Sequence, residues 1–205
     1  MNNAKVQLSA DELALIQNAE WLLTKNKLIE KVFLLFGDVA HEVRDKITGQ
    51  PGLLPGEVTA IAPKISKGEN YKGLPYVMLD YPRFFGKEDI FAVRVLFWWG
   101  NFISITLHIK GKYKEQYLPR IIQQLPLLQQ YDFSAGISDD EWRHEFEEDN
   151  YTSLRQYDTR TIEAMLSANH FCKLSSKIPL QQWNQAGKLL IELYEVIFNS
   201  ISSID

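Results

Sequence analysis

The stretch Asp89-Ile90-Phe91-Ala92-Val93-Arg94-Val95-Leu96-Phe97-Trp98-Trp99-Gly100-Asn101-Phe102-Ile103-Ser104-Ile105-Thr106-Leu107-His108-Ile109 decides the fold. Two runs rich in Val, Ile and Phe flank a Gly-Asn pair, which is the pattern of a β-hairpin. Side chains alternate along a strand, so a slip of one residue in pairing changes which of them share a face. A two-residue Gly100-Asn101 turn would pair Phe97 with Ser104 and Val95 with Thr106, mixing apolar and polar groups. A three-residue Trp99-Gly100-Asn101 loop instead puts Phe91, Val93, Val95 and Phe97 on one face with Ile103, Ile105, Leu107 and Ile109. The second register segregates the groups, and Asn101 is the residue expected to take the left-handed conformation such a loop requires. The other face then carries Arg94, Leu96 and Trp98 beside Phe102, Ser104, Thr106 and His108.

The same period of two extends upstream. Strands are expected at about 57–65, 74–81, 89–98 and 102–109, with turns at 67–73 and 82–87. With Val77, Leu79 and Tyr81 facing the core, alternation adds Tyr76, Met78 and Asp80 to the mixed face. Short connections predict an antiparallel meander.

Helical periodicity brackets the sheet. Ser9-Ala10-Asp11-Glu12 has the spacing of a capping box and predicts a helix to about Thr24. Asn26 suits the start of a second helix, whose Leu28, Val32, Leu35, Val39, Val43 and Ile47 form one stripe before Gly49-Gln50-Pro51-Gly52 ends it. Pro119 and Pro126 predict a kinked or broken helix over 114–130. Ser138-Asp139-Asp140-Glu141 repeats the capping-box spacing, but 142–160 has no clean period before a short helix at about 161–169. Residues 171–178 read as a short edge strand or a loop. Trp183, Gly187, Leu190, Ile191, Tyr194, Ile197, Phe198 and Ile201 share the face of a carboxy-terminal helix, with Pro179 suited to its first turn. The expectation is an α+β domain spanning 1–205 as one unit, with about four antiparallel strands covered on one face by the N-terminal and C-terminal helices.

Composition narrows the function classes. The chain has 205 residues, of which 45% are hydrophobic and 23% charged, as in ordinary globular domains. Its formal charge of −4 gives no general attraction to phosphate backbones or anionic lipid. The apolar runs fall well short of the ~20 residues of a membrane helix. Residues 1–10 lack the core of a secretion signal, so a soluble cytoplasmic protein with neither nucleic-acid nor membrane partner is expected. The single Cys172 excludes an internal disulfide and thiolate-rich zinc sites, and no cofactor or metal is expected.

No phosphate-binding glycine loop, nucleophile elbow or His-Glu-x-x-His pair is present. Asp38, His41 and Asp45 share a helix surface and read as a solvated face rather than a metal site. His144, Glu145, Glu147, Glu148 and Asp149 read as a solvated charge run. His170 and Cys172 have the spacing of a thiolate and its base on one strand face, but no third group orients them, and a small half-buried thiol is the simpler reading.

The mixed sheet face is the main candidate. There Tyr76, Asp80, Arg94, Thr106 and His108 can converge. An Arg can fork onto a carboxylate or phosphate, and a carboxylate beside an imidazole can exchange a proton. A simple cross-strand ion pair between Asp80 and Arg94 is the structural reading of the same residues. Trp98, Trp99 and Phe102 at the hairpin tip serve either a contact surface or the core. The sequence therefore points to a noncatalytic domain that binds a small polar or anionic ligand or a protein partner through this face. A homodimer is compatible with that reading. The alternative is a hydrolase with Asp80 and His108 as acid–base pair and Arg94 as anion anchor.

Overall fold

The computed structural model describes residues 6–202. The β-hairpin pairs in the segregating register: Phe91 meets Ile109, Val93 meets Leu107, Val95 meets Ile105 and Phe97 meets Ile103. The strands are β3 (Ile90–Trp98) and β4 (Phe102–Lys110). The left-handed position of the loop falls on Gly100, with φ 74°, rather than on Asn101. Asn101 serves the loop differently, donating from Nδ2 to the Trp99 carbonyl at 2.9 Å.

Among the described residues seven strands form the sheet, not about four. β1 (Lys64–Tyr71) and β2 (Leu74–Phe85) precede the hairpin; β5 (Ser134–Gly136), β6 (Tyr151–Ser153) and β7 (Phe171–Pro179) follow it. The order is β1-β2-β3-β4-β7-β5-β6, and the pairings are antiparallel.

Three sequence expectations change here. Residues 57–63 are not strand; a short helix, α3 (Gly56–Thr59), lies there, and β1 runs through the expected turn to Tyr71. Gly68 and Asn70 look like turn residues, but Gly68 sits where a Cβ would come within 2.5 Å of the Tyr76 ring. The real turn is Lys72-Gly73, both with positive φ. β2 continues past Pro82 because a register shift between Asp80 and Arg83 gives the proline a place off the ladder. Residues 171–178 are neither edge nor loop: β7 lies between β4 and β5.

The helices also shift. α1 (Ala10–Gln17) opens on the expected Ser9–Glu12 capping box but ends early, and Asn18 alone joins it to α2 (Ala19–Gly49). Asn18 caps α2 by accepting the Trp21 N–H at 3.1 Å, so no break falls at Asn26. α4 (Lys112–Gln123) and α5 (Leu125–Gln130) form the expected broken helix. α6 (Thr159–Ala168) starts on the Asp158 side chain. A 3-10 turn over Leu180–Gln185 holds Trp183, and α7 (Ala186–Ile201) follows. Among the described residues no helix is long and apolar enough to cross a membrane.

The core lies between one sheet face and the helices. Val77, Leu79, Val93, Val95, Ile105 and Leu107 pack with Val32, Phe36 and Val43 of α2 and with Leu190, Tyr194 and Ile197 of α7. Each fully buried large side chain contributes about 1.5–3 kcal/mol over an exposed one. α7 also closes the irregularity in β2, the Tyr194 hydroxyl donating to the Tyr81 carbonyl at 2.8 Å.

Gly111 connects β4 to α4 with φ 60°. A Cβ there would lie 2.2 Å from Asp89 Oδ1 and 2.6 Å from the Glu88 carbonyl oxygen. Asp89 cannot withdraw freely, because the same oxygen accepts the Lys112 N–H at 2.8 Å. Gly111→Ala is expected to cost about 1–3 kcal/mol, read as a lower midpoint in urea denaturation.

Candidate functional site

Register alone sets out the mixed face. Asp80 pairs with Arg94, Arg94 with Thr106, and Thr106 with Ser175, so one polar row crosses β2, β3, β4 and β7. In the next row Ala92 pairs with His108 and His108 with Lys173. Arg94 forks onto Asp80, with Nε to Oδ1 at 2.6 Å and the second guanidinium nitrogen to Oδ2 at 3.0 Å. Thr106 Oγ1 and Ser175 Oγ lie 2.8 Å apart.

Residues 137–150, between β5 and β6, cover these rows. His144 Nε2 lies 3.2 Å from Arg94, and Glu141 receives His108 Nε2 at 3.1 Å and the Lys110 ammonium at 2.9 Å. The Lys173 ammonium donates to the carbonyls of Glu141, at 3.0 Å, and Arg143. The Trp142 ring meets His108 and Phe85, and Phe146 meets Phe102. Ser138, expected to begin a helix, instead accepts the Asp140 N–H within a turn at 3.2 Å.

The covering segment is fastened at Glu145, which is 2% exposed. Its carboxylate accepts from the Tyr71 hydroxyl, from Arg143 Nε at 2.7 Å and from Lys72 at 3.1 Å. Burial works against that charge, but these donors outweigh it and hold the carboxyl at about 2. Asn150 closes the segment on itself, donating to the Glu145 carbonyl and accepting the Ile137 N–H. His144 and Glu145 are therefore buried, which corrects the reading of 144–149 as wholly solvated; Glu147, Glu148 and Asp149 are exposed.

Burial dominates the titration of the cluster. It pushes His108 down to about 4, helped by the charge of Lys173 and opposed by Glu141. It drives His144 well below its ordinary value, with Arg94 adding to the effect. Lys173 is lowered to about 8 by burial and then by Arg94. Arg94 is answered by Asp80, Lys110 by Glu141, and Lys173 by two carbonyls, so each cation has its partner inside the protein. The space enclosed by Arg94, Thr106, His108, His144 and Lys173 is about 10 Å³, room for one water. An organic ligand fits only if residues 137–150 lift.

Of the sequence candidates, the structure brings Asp80, Arg94, Thr106 and His108 into one cluster and leaves Tyr76 outside it. Tyr76 pairs with Trp98, four residues along β2 from Asp80 or about 13 Å, and its ring lies edge-on to Tyr71. His108 faces Glu141 and Asp80 faces Arg94, so the two groups of the hydrolase reading each have another partner. Sequence reasoning missed Lys173, Ser175 and Glu141, and placed His144 in a solvated charge run instead of this cluster. The alternation of residues 171–176 carried a signal for the first two; the others sit in a segment with no period.

The lesser candidates separate. His41 and Asp45 form an exposed pair at 3.9 Å. His170 is exposed in the bend before β7, whereas Cys172 is buried in the core with its thiol pushed up to about 12 by burial. Trp98 is buried and donates from its indole to the Tyr71 carbonyl at 3.2 Å, while Trp99 lies half-buried on the helix side of the sheet.

Compared with known families, with characterised proteins and with solved structures, the chain matches none.

Removing one partner of a buried ion pair strands the other. Asp80→Ala and Arg94→Ala are each expected to cost about 3–5 kcal/mol. The double variant should cost less than their sum by about 1–3 kcal/mol in a urea-denaturation cycle. A second outcome concerns pH. A histidine whose folded value is depressed binds its proton more readily unfolded, so stability is full above about 6.5 and falls as pH drops toward 4. Glu145 adds a further loss from about 4.5 down to about 2. The thermal midpoint should therefore decline from pH 7 to pH 5, and His108→Gln should make that decline shallower.

Proposed function

We propose that this protein is a noncatalytic interaction domain whose contact surface is an N-terminal helical arm. The observation that carries the reading is that every residue from 6 to 24 is exposed although the segment is rich in large apolar side chains. Leu13, Leu15, Ile16, Trp21, Leu22 and Leu23 all face solvent, Ile16 at 68% and Trp21 at 53%. α1 buries no residue at all.

The arm is a continuation of the core stripe. Along α2 the buried positions Ile29, Val32, Phe36, Val39 and Val43 recur every three or four residues. Counting back by the same interval reaches Leu28, Lys25 and then Trp21 and Leu22. Lys25 pairs with Glu69 of β1 where the helix leaves the sheet, and beyond that point the stripe has nothing to cover among the described residues. An extended apolar surface of this kind marks a binding site, because water contact with such side chains is unfavourable.

The mixed sheet face supports this assignment by being occupied. Its ions are paired within the chain and its enclosed space is about 10 Å³. That arrangement gives the face a fastening role and leaves recognition to the arm.

The expected outcome is specific cross-linking through the arm. With a benzophenone amino acid replacing Trp21 or Ile16, irradiation of cells expressing the full chain should give an adduct of discrete mass. The same probe at the exposed Lys188 should give none. Failure of both arm positions to form an adduct would overturn the proposal.

A further inference from the structure

We infer that the arm's partner is a second copy of this chain, with α1 of each copy seated in an aromatic groove at the base of the other copy's α2; the inference rests on the arm being the contact surface. The groove is open, has a volume of about 600 Å³ and is lined by Leu28, Lys31, Val32, Phe97, Trp99, Leu180 and Trp183, among others. Phe97 forms its floor, with Trp99 edge-on at 6.2 Å and Trp183 edge-on at 6.1 Å. Rigid aromatic walls around an apolar floor form a surface on which an inserted apolar side chain is desolvated and closely packed. Among the described residues the chain thus carries an apolar helix that lies in no groove and an apolar groove with no helix seated in it.

Two observations select a second copy as the occupant. The first is connectivity. α1 and α2 are joined by Asn18 alone, whereas two helices that fold back antiparallel need about two to five linking residues. The groove begins at Leu28, about 14 Å along α2 from that joint. α1 therefore cannot reverse into the groove of its own chain, and the groove of another chain is the one it can reach. The second is charge. α1 carries Asp11 and Glu12 and no basic residue, and the groove presents Lys31 as its cation. A helix with its acids in the first turn also disfavours an anionic lipid surface.

The pairing is reciprocal: two arms and two grooves related by a twofold axis make a closed dimer with no surplus site. It places Leu13 and Ile16, three residues apart on one helix face, against the Phe97–Trp99–Trp183 walls. Leu28 and Val32 of the receiving α2 form the adjoining side of the groove.

Analytical ultracentrifugation of the full chain tests this. The wild type should sediment at about twice its 23.7 kDa mass at micromolar concentration. Leu13→Asp with Ile16→Asp, both at exposed positions, should give a monomer with an unchanged circular dichroism spectrum. Lys31→Glu with Asn184→Glu, exposed at the groove, should raise the dimer dissociation constant at least tenfold. Mixed in equal amounts, the arm variant supplies intact grooves and the groove variant intact arms, so a heterodimer should form that neither gives alone. A wild type that is monomeric at about 100 μM, above the micromolar range of weak specific interfaces, would overturn the exchange. So would a dimer insensitive to both pairs of substitutions, or arm-dependent flotation with phosphatidylcholine–phosphatidylserine vesicles. A monomer whose Trp21 probe still captures a different protein defeats self-pairing and leaves the interaction proposal standing. A monomer with no adduct defeats both.

Discussion

The pairing of Phe97 with Ile103 and of Arg94 with Thr106 across one hairpin is the constraint on which the rest of the molecule depends. A slip of one residue would put Arg94 and His108 on opposite faces, so that one of them would point toward α2 and α7, and would part Phe91 and Val95 from Ile105 and Ile109. In the observed register one face is an unbroken apolar floor for the helices. The other carries charges that must then be satisfied. Both layers of the protein follow from that division.

Satisfying the charged face accounts for the least regular part of the chain. Residues 137–150 have no periodicity because they serve a row of side chains rather than a groove or a sheet edge. Glu141, His144 and the carbonyls of Glu141 and Arg143 each meet a particular partner below. Burial then costs these ions their hydration, and the hydrogen bonds and opposite charges offset that cost only while the set is complete. The two histidines stay neutral beside Arg94 and Lys173. The arrangement fastens the segment and ties its stability to pH.

The helical layer ends before its helix does. α2 is 31 residues long, about 47 Å, and the sheet supports it only from about Ile29 onward. Its free end and α1 keep the apolar composition of a packed helix without the packing. Meanwhile Trp99, which alternation places on the same face as Phe97, lies on the helix side and helps to wall a groove with Trp183. The end of β3 and the hairpin loop thus supply a buried tryptophan, Trp98, to one layer and a groove wall, Trp99, to the other.

The sequence by itself determined what local periodicity controls. The α+β class, the antiparallel hairpin and its register, the stripes of α2 and α7 and the sharing of one face by Asp80, Arg94, Thr106 and His108 follow from repeats of two or 3.6 residues, and the Ser9 capping box from local hydrogen bonding at a helix start. Only the tertiary structure decided what depends on partners distant in the chain. β7 reads as an edge strand because Lys173, Ser175 and Ser176 are polar; it is interior because Glu141 and Tyr131 supply carbonyls to Lys173 and Ser176 while Thr106 of β4 meets Ser175. Gly68 reads as a turn and is strand because Tyr76 covers it. Tyr76 itself lies on the predicted strand, yet four residues of rise carry it away from the cluster. Alternation tells which way a side chain points. It does not tell what will be there to meet it, because that is fixed by the path of the chain through space: His144 meets Arg94 across fifty residues, and among the described residues the stripe of α2 meets nothing of its own past Lys25.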